Sequence, residues 1–294
     1  MPRDLADVLH YFLPELEESP AAGDASPSPT PRRRDLGRTG EDAQDRRPAE
    51  GIVPPLPVLG LAIGDRDVVR AALAWNLAIE TARLGGTTVI LAPEEDRGSP
   101  LWPEAGIGPL GTELLFCPAK DLRGLYEAAA DLAQQRAQQR TQQRTQQRAG
   151  QPPRGGIIFV RIPPAWLEAQ DELPDVLRWV LMLSGSSDRE LDESLSLCAR
   201  LLARHPKIEI GVTLHGVQSI AEARSAYEIL ARRAQTDLGL FLISYGLLVD
   251  DLHVYRAIAA QRPIGLAHPQ APAARALMDV ARLLYEDARS RVLG

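Results

Sequence analysis

Two kinds of apolar pattern alternate along this chain, and that alternation limits its fold more than any other feature. Short continuous apolar runs fall at 57–63, 87–92, 113–117, 156–162, 178–183, 208–214 and 239–243. Amphipathic stretches with helical spacing lie between most of them, near 68–84, 121–148, 188–204, 219–234, 250–260 and 270–290. A continuous apolar run of strand length suits a strand buried on both faces, and helix-length connections suit parallel crossovers rather than hairpins. The expectation is an α/β domain over 52–294: three α/β/α layers around a mostly parallel central sheet. Its core must be aliphatic, because only 5% of the residues are aromatic.

Ahead of that domain, residues 1–18 form an apolar island. Leu5, Val8, Leu9, Phe12 and Leu13 recur at the spacing of one helix face, with Asp4 placed to cap the start and Pro14 to end it. Residues 19–51 are rich in Pro, Ser and charge and have almost nothing to bury, so they read as a disordered linker and, with it, a disordered N-terminal tail. A short amphipathic helix on such a leash suits a groove on a protein partner, with residues 4–13 as the contact. Docking back on its own domain is the alternative. Within the domain, 133–150 is a low-complexity Gln/Arg insertion beginning with four four-residue repeats, Ala133 to Arg148. It reads as a solvated extension of the preceding helix.

A net charge of −6 argues against a nucleic-acid binder. Cys117 and Cys198 sit in apolar segments with no ligand spacing and read as small buried hydrophobes. The five histidines make no metal spacing. Neither a secretory leader nor a run long enough to span a membrane is visible, and the expected location is cytoplasmic. Ser187 or Asp188 is placed to start a helix.

The segment from Pro57 to Asp96 reads as buried strand, loop, helix, buried strand. That is how a phosphate-binding α/β domain begins, yet its loop, G-D-R-D-V-V-R-A-A from Gly64, has one glycine. A phosphate loop needs several, so that successive backbone N–H groups can close on the anion, plus a lysine for the terminal phosphates and a hydroxyl for Mg²⁺. The following helix carries N-L-A at Asn76–Ala78. With that triplet as anchor, the region resembles the MinD/ParA ATPases, whose deviant Walker loop reads G-K-G-G-V-G-K-T-T. Gly64 then takes the first glycine, Asp65 the signature lysine, Val69 the last glycine, Arg70 the Walker lysine and Ala71 the Mg²⁺-binding threonine. Pro93 and Glu95 take the places of a D-x-D turn, Arg161 that of the aspartate in D-x-P-P, and His215 that of a base-contacting asparagine. In the C-terminal third, Asp251, Val254, Ala257, Pro263, Pro269, Ala273, Ala274 and Leu277 fall in step with a stretch that is mainly structural in the family.

This resemblance implies a P-loop NTPase-like scaffold whose ligands for phosphate and metal have been replaced. The expected function is that of a pseudo-ATPase of bacterial type, with no catalytic residues, no metal and no cofactor. It would act as a regulatory or scaffold protein in positioning or assembling a cellular structure, of the chromosome-partitioning, division-site or flagellar kind. Gly64, Asp65, Arg70 and Ala71 would be the remnant of the loop. The layout of an N-terminal segment before the domain is similar to that of FlhG-like members, which contact a partner GTPase. A homodimer, or a heterodimer with an active relative, is implied, with no membrane contact and no specific nucleic acid. The alternative is an ATPase switch with remodelled ligands, Arg70 on the phosphates and Glu94, Glu95 or Asp96 on the metal, or ATP/ADP held without Mg²⁺.

Overall fold

The computed structural model describes residues 3–17, 55–146, 155–168 and 178–293. The expected linker at 19–51 lies outside them, as do residues 147–150 of the Gln/Arg segment. Among the described residues eight strands form one sheet: β1 (Val58–Ala62), β2 (Thr87–Pro93), β3 (Gly106–Ile107), β4 (Glu113–Cys117), β5 (Gly156–Ile162), β6 (Trp179–Ser184), β7 (Glu209–Val217) and β8 (Ile243–Val249). The helices are α1 (Leu5–Glu17), α2 (Val68–Arg83), α3 (Leu122–Gln146), α4 (Asp188–Arg204), α5 (Ile220–Leu238), α6 (Leu252–Ala259), α7 (Ile264–Ala267) and α8 (Pro272–Leu293).

Strand order is β3-β4-β2-β5-β1-β6-β7-β8, parallel throughout except where the two-residue β3 runs against β4. Helices α2 and α8 pack together and against the sheet, while α3, α4 and α5 reach strands β1, β5, β6 and β7. Every residue of β1, β5 and β6 is buried, which is what their unbroken apolar runs predict for strands covered on both faces. The expected three-layer α/β fold is therefore the observed one.

One strand lies elsewhere than the sequence suggests. The run 239–243 is not a strand; β8 begins where that run ends. Gly239, at φ 65°, is the left-handed cap of α5, and the N–H groups of Gly239 and Leu240 return to Gln235 and Ala234. The apolar residues after it span the gap to the sheet. A second correction concerns the Gln/Arg repeat, whose start is packed rather than solvated. Ala133 and Ala137, one turn apart, are buried, the Ala133 carbonyl accepts from Leu56 N–H, and Arg136 is paired with Glu113.

The N-terminal helix is seated on its own chain. Leu5, Val8, Leu9 and Phe12, expected to meet a protein partner, are buried instead against β8, α8 and α5; the side chain of Leu13 lies outside the described ones. Helix α1 also runs through Pro14 to Glu17. Proline removes one N–H donor there, but the helix does not stop at it. The seat is built at a bulge in β8, where the register against β7 slips between Ser244 and Leu247. Within that bulge Gly246 holds φ 97°, and a Cβ on it would stand 2.2 Å from the Phe12 ring. Only glycine admits both the backbone and the ring. Polar contacts fasten the same end. Arg3 O accepts from Ser244 N–H at 2.8 Å, and Arg3 pairs with Asp287 at 2.7 Å, which in turn accepts from Tyr245. Since β8 ends the sheet, α1 covers an edge that would otherwise present unpaired backbone.

Candidate functional site

The segment from Gly64, where the resemblance would place a phosphate loop, joins the end of β1 to the start of α2, at the carboxyl ends of the parallel strands, where sheets of this kind bind ligands. Here the first turn of α2 is capped from within. Asp67 is the N-cap; its Oδ1 accepts from Arg70 N–H at 3.0 Å and its Oδ2 from Arg70 Nη1 at 2.8 Å. The N-terminus of a helix attracts an anion because its first N–H groups lack partners. In this chain the anion is the carboxylate of Asp67.

Arg70 is held on its other side as well. Its Nε donates to His215 Nε2 at 3.2 Å, and its Nη2 stands 3.8 Å from Glu190 Oε1. To accept that bond, His215 Nε2 must be unprotonated. Burial, and then the Arg70 charge, push the His215 imidazole below its ordinary range. Glu190 belongs to a capping box with Ser187 that starts α4, so the expected start of that helix is the observed one. Burial alone would raise the Glu190 carboxyl, but hydrogen bonds from Ser187 and the Arg70 charge outweigh it and hold it low. His215 also borders a small, open cleft with Val69, Asp251 and Tyr255.

A second cluster sits behind the loop. Arg161, at the end of β5, is 0% exposed. Its Nε donates to the Ile63 carbonyl at 3.2 Å, its Nη2 to Asp65, and its Nη1 stands 3.1 Å from Asp96 Oδ1, off the line a hydrogen bond needs. Trp102 Nε1 donates to the other oxygen of Asp96 at 3.3 Å. Burial lifts the Asp96 carboxyl above its ordinary range, with Arg161 pulling it back.

The residues singled out in the sequence thus part company. Asp65 and Arg70 are in ion pairs, with different partners; Gly64 forms the turn, its carbonyl accepting from Asp67 N–H; Ala71 is fully buried in α2. In the acidic turn, Glu94 is bound to Arg97, and Asp96 faces Arg161. Asp251 is the N-cap of α6 and binds His253. The contact between Asp65 and Arg161 was not foreseen, though a signal for it stood in the sequence. Relative to the MinD/ParA pattern one position changes from lysine to aspartate and the other from aspartate to arginine, so opposite charges are kept with their places exchanged. Trp102 beside Asp96 left no such signal.

No protein-family model matches the sequence, and no curated protein matches it. Solved structures do. The MinD cell division protein of Aquifex aeolicus is similar over 78% of this chain and 97% of its own, at 14% identity and a TM-score of 0.52. MinD in the MinC:MinD cell division protein complex of the same organism is similar over 78% and 96%, at 13% identity and a TM-score of 0.52. A ParA family ATPase from Chlorobium tepidum also aligns, at 14% identity and a TM-score of 0.46. At such identities the likeness concerns architecture alone, and the architecture of this chain is the α/β fold of the MinD cell division protein.

Proposed function

We propose that this chain is a pseudo-ATPase on the MinD/ParA scaffold, a protein that acts through protein contacts in positioning or assembling a cellular structure. The observation that carries this reading is the Asp67 carboxylate on the N-terminus of α2. A phosphate brought there meets a carboxylate already in place, and at about 4 Å two such charges repel by about 4 kcal/mol at an effective dielectric of 20. The remaining groups supply no compensation. Arg70 is engaged by Asp67, Glu190 and His215, and Arg161 by Asp65 and Asp96. A Mg²⁺-nucleotide fits these residues poorly, because a guanidinium stands at the strand end where the resemblance calls for a carboxylate. Phosphoryl transfer rests on positioning and charge neutralisation, and both are spent on internal pairs here.

The protein-contact half of the reading draws on the neighbours. One is a division protein, and it is also seen in a complex with MinC. With the apolar face of α1 buried in the chain itself, the partner surface is proposed to lie elsewhere, and a dimer with a second copy or an active relative remains part of the reading. Among the described residues no helix is long and apolar enough to cross a membrane.

Calorimetric titration with ATP and ADP, with and without Mg²⁺, tests the proposal. The expected result is no heat and no thermal shift. Micromolar binding, or hydrolysis abolished by Arg70→Ala, overturns it in favour of a nucleotide switch with remodelled ligands.

A further inference from the structure

On another face of α2 lies a second, larger cleft, open to solvent. Its walls come from α2, from the loop after β2 and from the end of α6. Two indoles, Trp75 and Trp102, line it together with Pro100 and Pro103. Both rings are held. Trp102 is tied by its N–H to Asp96, the same carboxylate that Arg161 holds. Trp75 lies so close over Gly108 that a Cβ there would stand 2.8 Å from the ring. Rigid flat walls of this kind bind a planar ring with little ordering cost.

The opposite rim has a different character. Helix α6 ends in a tight C-cap, with Arg262 N–H returning to Ala257 and Gln261 N–H to Ile258. Gln261 occupies the left-handed position of that cap at φ 50°, where glycine is the usual residue. The strain is kept, and an amide-bearing side chain lines the cleft as a result. Next to it stands Arg262, which has no ion pair or side-chain hydrogen bond among the described residues. No carboxylate lines the cleft. In a chain with net charge −6, this is a place with one uncommitted cation and no anion.

We propose that the cleft is a binding site for a small planar aromatic molecule carrying one anionic group. Its ring lies against Trp75 and Trp102, and its anion is held by Arg262 with help from the Gln261 amide. Planar guanidinium suits a carboxylate or phosphate through paired hydrogen bonds. The site adjoins the start of α2 through Val68 and Ala72, but its anion-holding groups, Arg262 and Gln261, lie on the far rim and belong to no part of the phosphate loop.

The test uses the full chain and two matched probes, 2-naphthoate and neutral 2-naphthamide, followed by calorimetry and by quenching of tryptophan fluorescence. The acid is expected to bind saturably below millimolar concentration and the amide about tenfold or more weakly, the discrimination a charge-assisted bond gives. Arg262→Ala should weaken the acid about tenfold or more and leave the amide unchanged, with Arg262→Lys recovering part of the loss. Trp75→Ala should weaken both. Equal binding of acid and amide, indifference of the acid to Arg262→Ala, or no saturable binding of the acid would each overturn the proposal. Arg262 is exposed, so its variant decides the matter even if the tryptophan variant fails to fold. ATP titrated in competition keeps the two questions apart: binding of naphthoate that ATP does not displace supports this cleft whatever the loop does.

Discussion

The two sides of helix α2 hold the same kind of residue in opposite circumstances. Toward the ends of β1 and β5, Arg70 and Arg161 are enclosed by Asp67, Glu190, His215, Asp65 and Asp96. Toward α6, Arg262 stands in an aromatic cleft with no anion beside it. The first region is where the fold leads one to look for a ligand, and its guanidinium charges are already paired with carboxylates of the chain. The second has capacity left over. A guanidinium ion-paired within the chain is a structural element, while an unpaired one on a rigid wall is a recognition element. Position in the fold does not distinguish them; their partners do.

The sharpest way to test this contrast is to remove the buried arginine. Arg161→Leu leaves Asp96 buried beside an apolar side chain, and loss of one partner from a buried pair costs about 3–5 kcal/mol. Urea denaturation near neutral pH should show that loss. Replacing Asp96 as well, by Leu, should recover much of it, because the uncompensated charge is then gone. A loss within about 0.5 kcal/mol, the range of ordinary surface changes, would mean that these pairs do not hold the mouth together.

Asp67→Ala comes next. It removes the cap of α2 and the main partner of Arg70, and N-cap truncations cost about 1 kcal/mol. Asp67→Ser, which keeps a cap acceptor without the charge, should restore most of it. If Ser and Ala are equally poor, the ion pair with Arg70 matters more than the cap.

A smaller effect is expected from pH. His215 is pushed down by burial and by Arg70, with Glu190 and Asp67 acting the other way. An unfolded imidazole takes up its proton near pH 6.5, and the folded one only at lower pH. Between those values the unfolded chain holds more protons, so stability rises with pH and is lost as pH falls through the window. Melting temperatures taken downward from pH 7.5 should decline below about 6.5. His215→Gln, which still offers Arg70 an acceptor, should flatten the decline. The depressed Glu190 carboxyl acts in the same direction at lower pH, and would account for any slope that survives.

How much of this was legible in the sequence depends on the range of the interaction. Burial on both faces of a strand writes itself as a continuous apolar run, so β1, β5 and β6 were found where they are. The strand, turn and helix around Gly64 were legible because an apolar run precedes the turn and a helical pattern follows it. The strand put at 239–243 failed because a helix cap with apolar neighbours carries the same composition as a buried strand. The apolar face of α1 was legible as a face, but what it covers was not. Gly246 in the β8 bulge, the one position that admits Phe12, lies more than two hundred residues further along. The cleft had no signature at all. Trp75, Trp102 and Arg262 are brought together by the packing of α2, a loop and α6, and no spacing in the chain announces it.

The smallest expected effect is the one that completes the comparison. Arg262→Ala should change stability by no more than about 0.5 kcal/mol, the range for exposed residues without partners. The same substitution class that unseats the chain at Arg161 should pass unnoticed here when measured by denaturation in the absence of ligand. A loss well beyond that range would show that Arg262 does structural work in the free protein, and the contrast between the two sides of α2 would then be one of degree. Near-neutrality together with the loss of naphthoate binding separates the two roles. The cost of removing an arginine then appears in folding where its partner belongs to the chain, and in binding where its partner has yet to arrive.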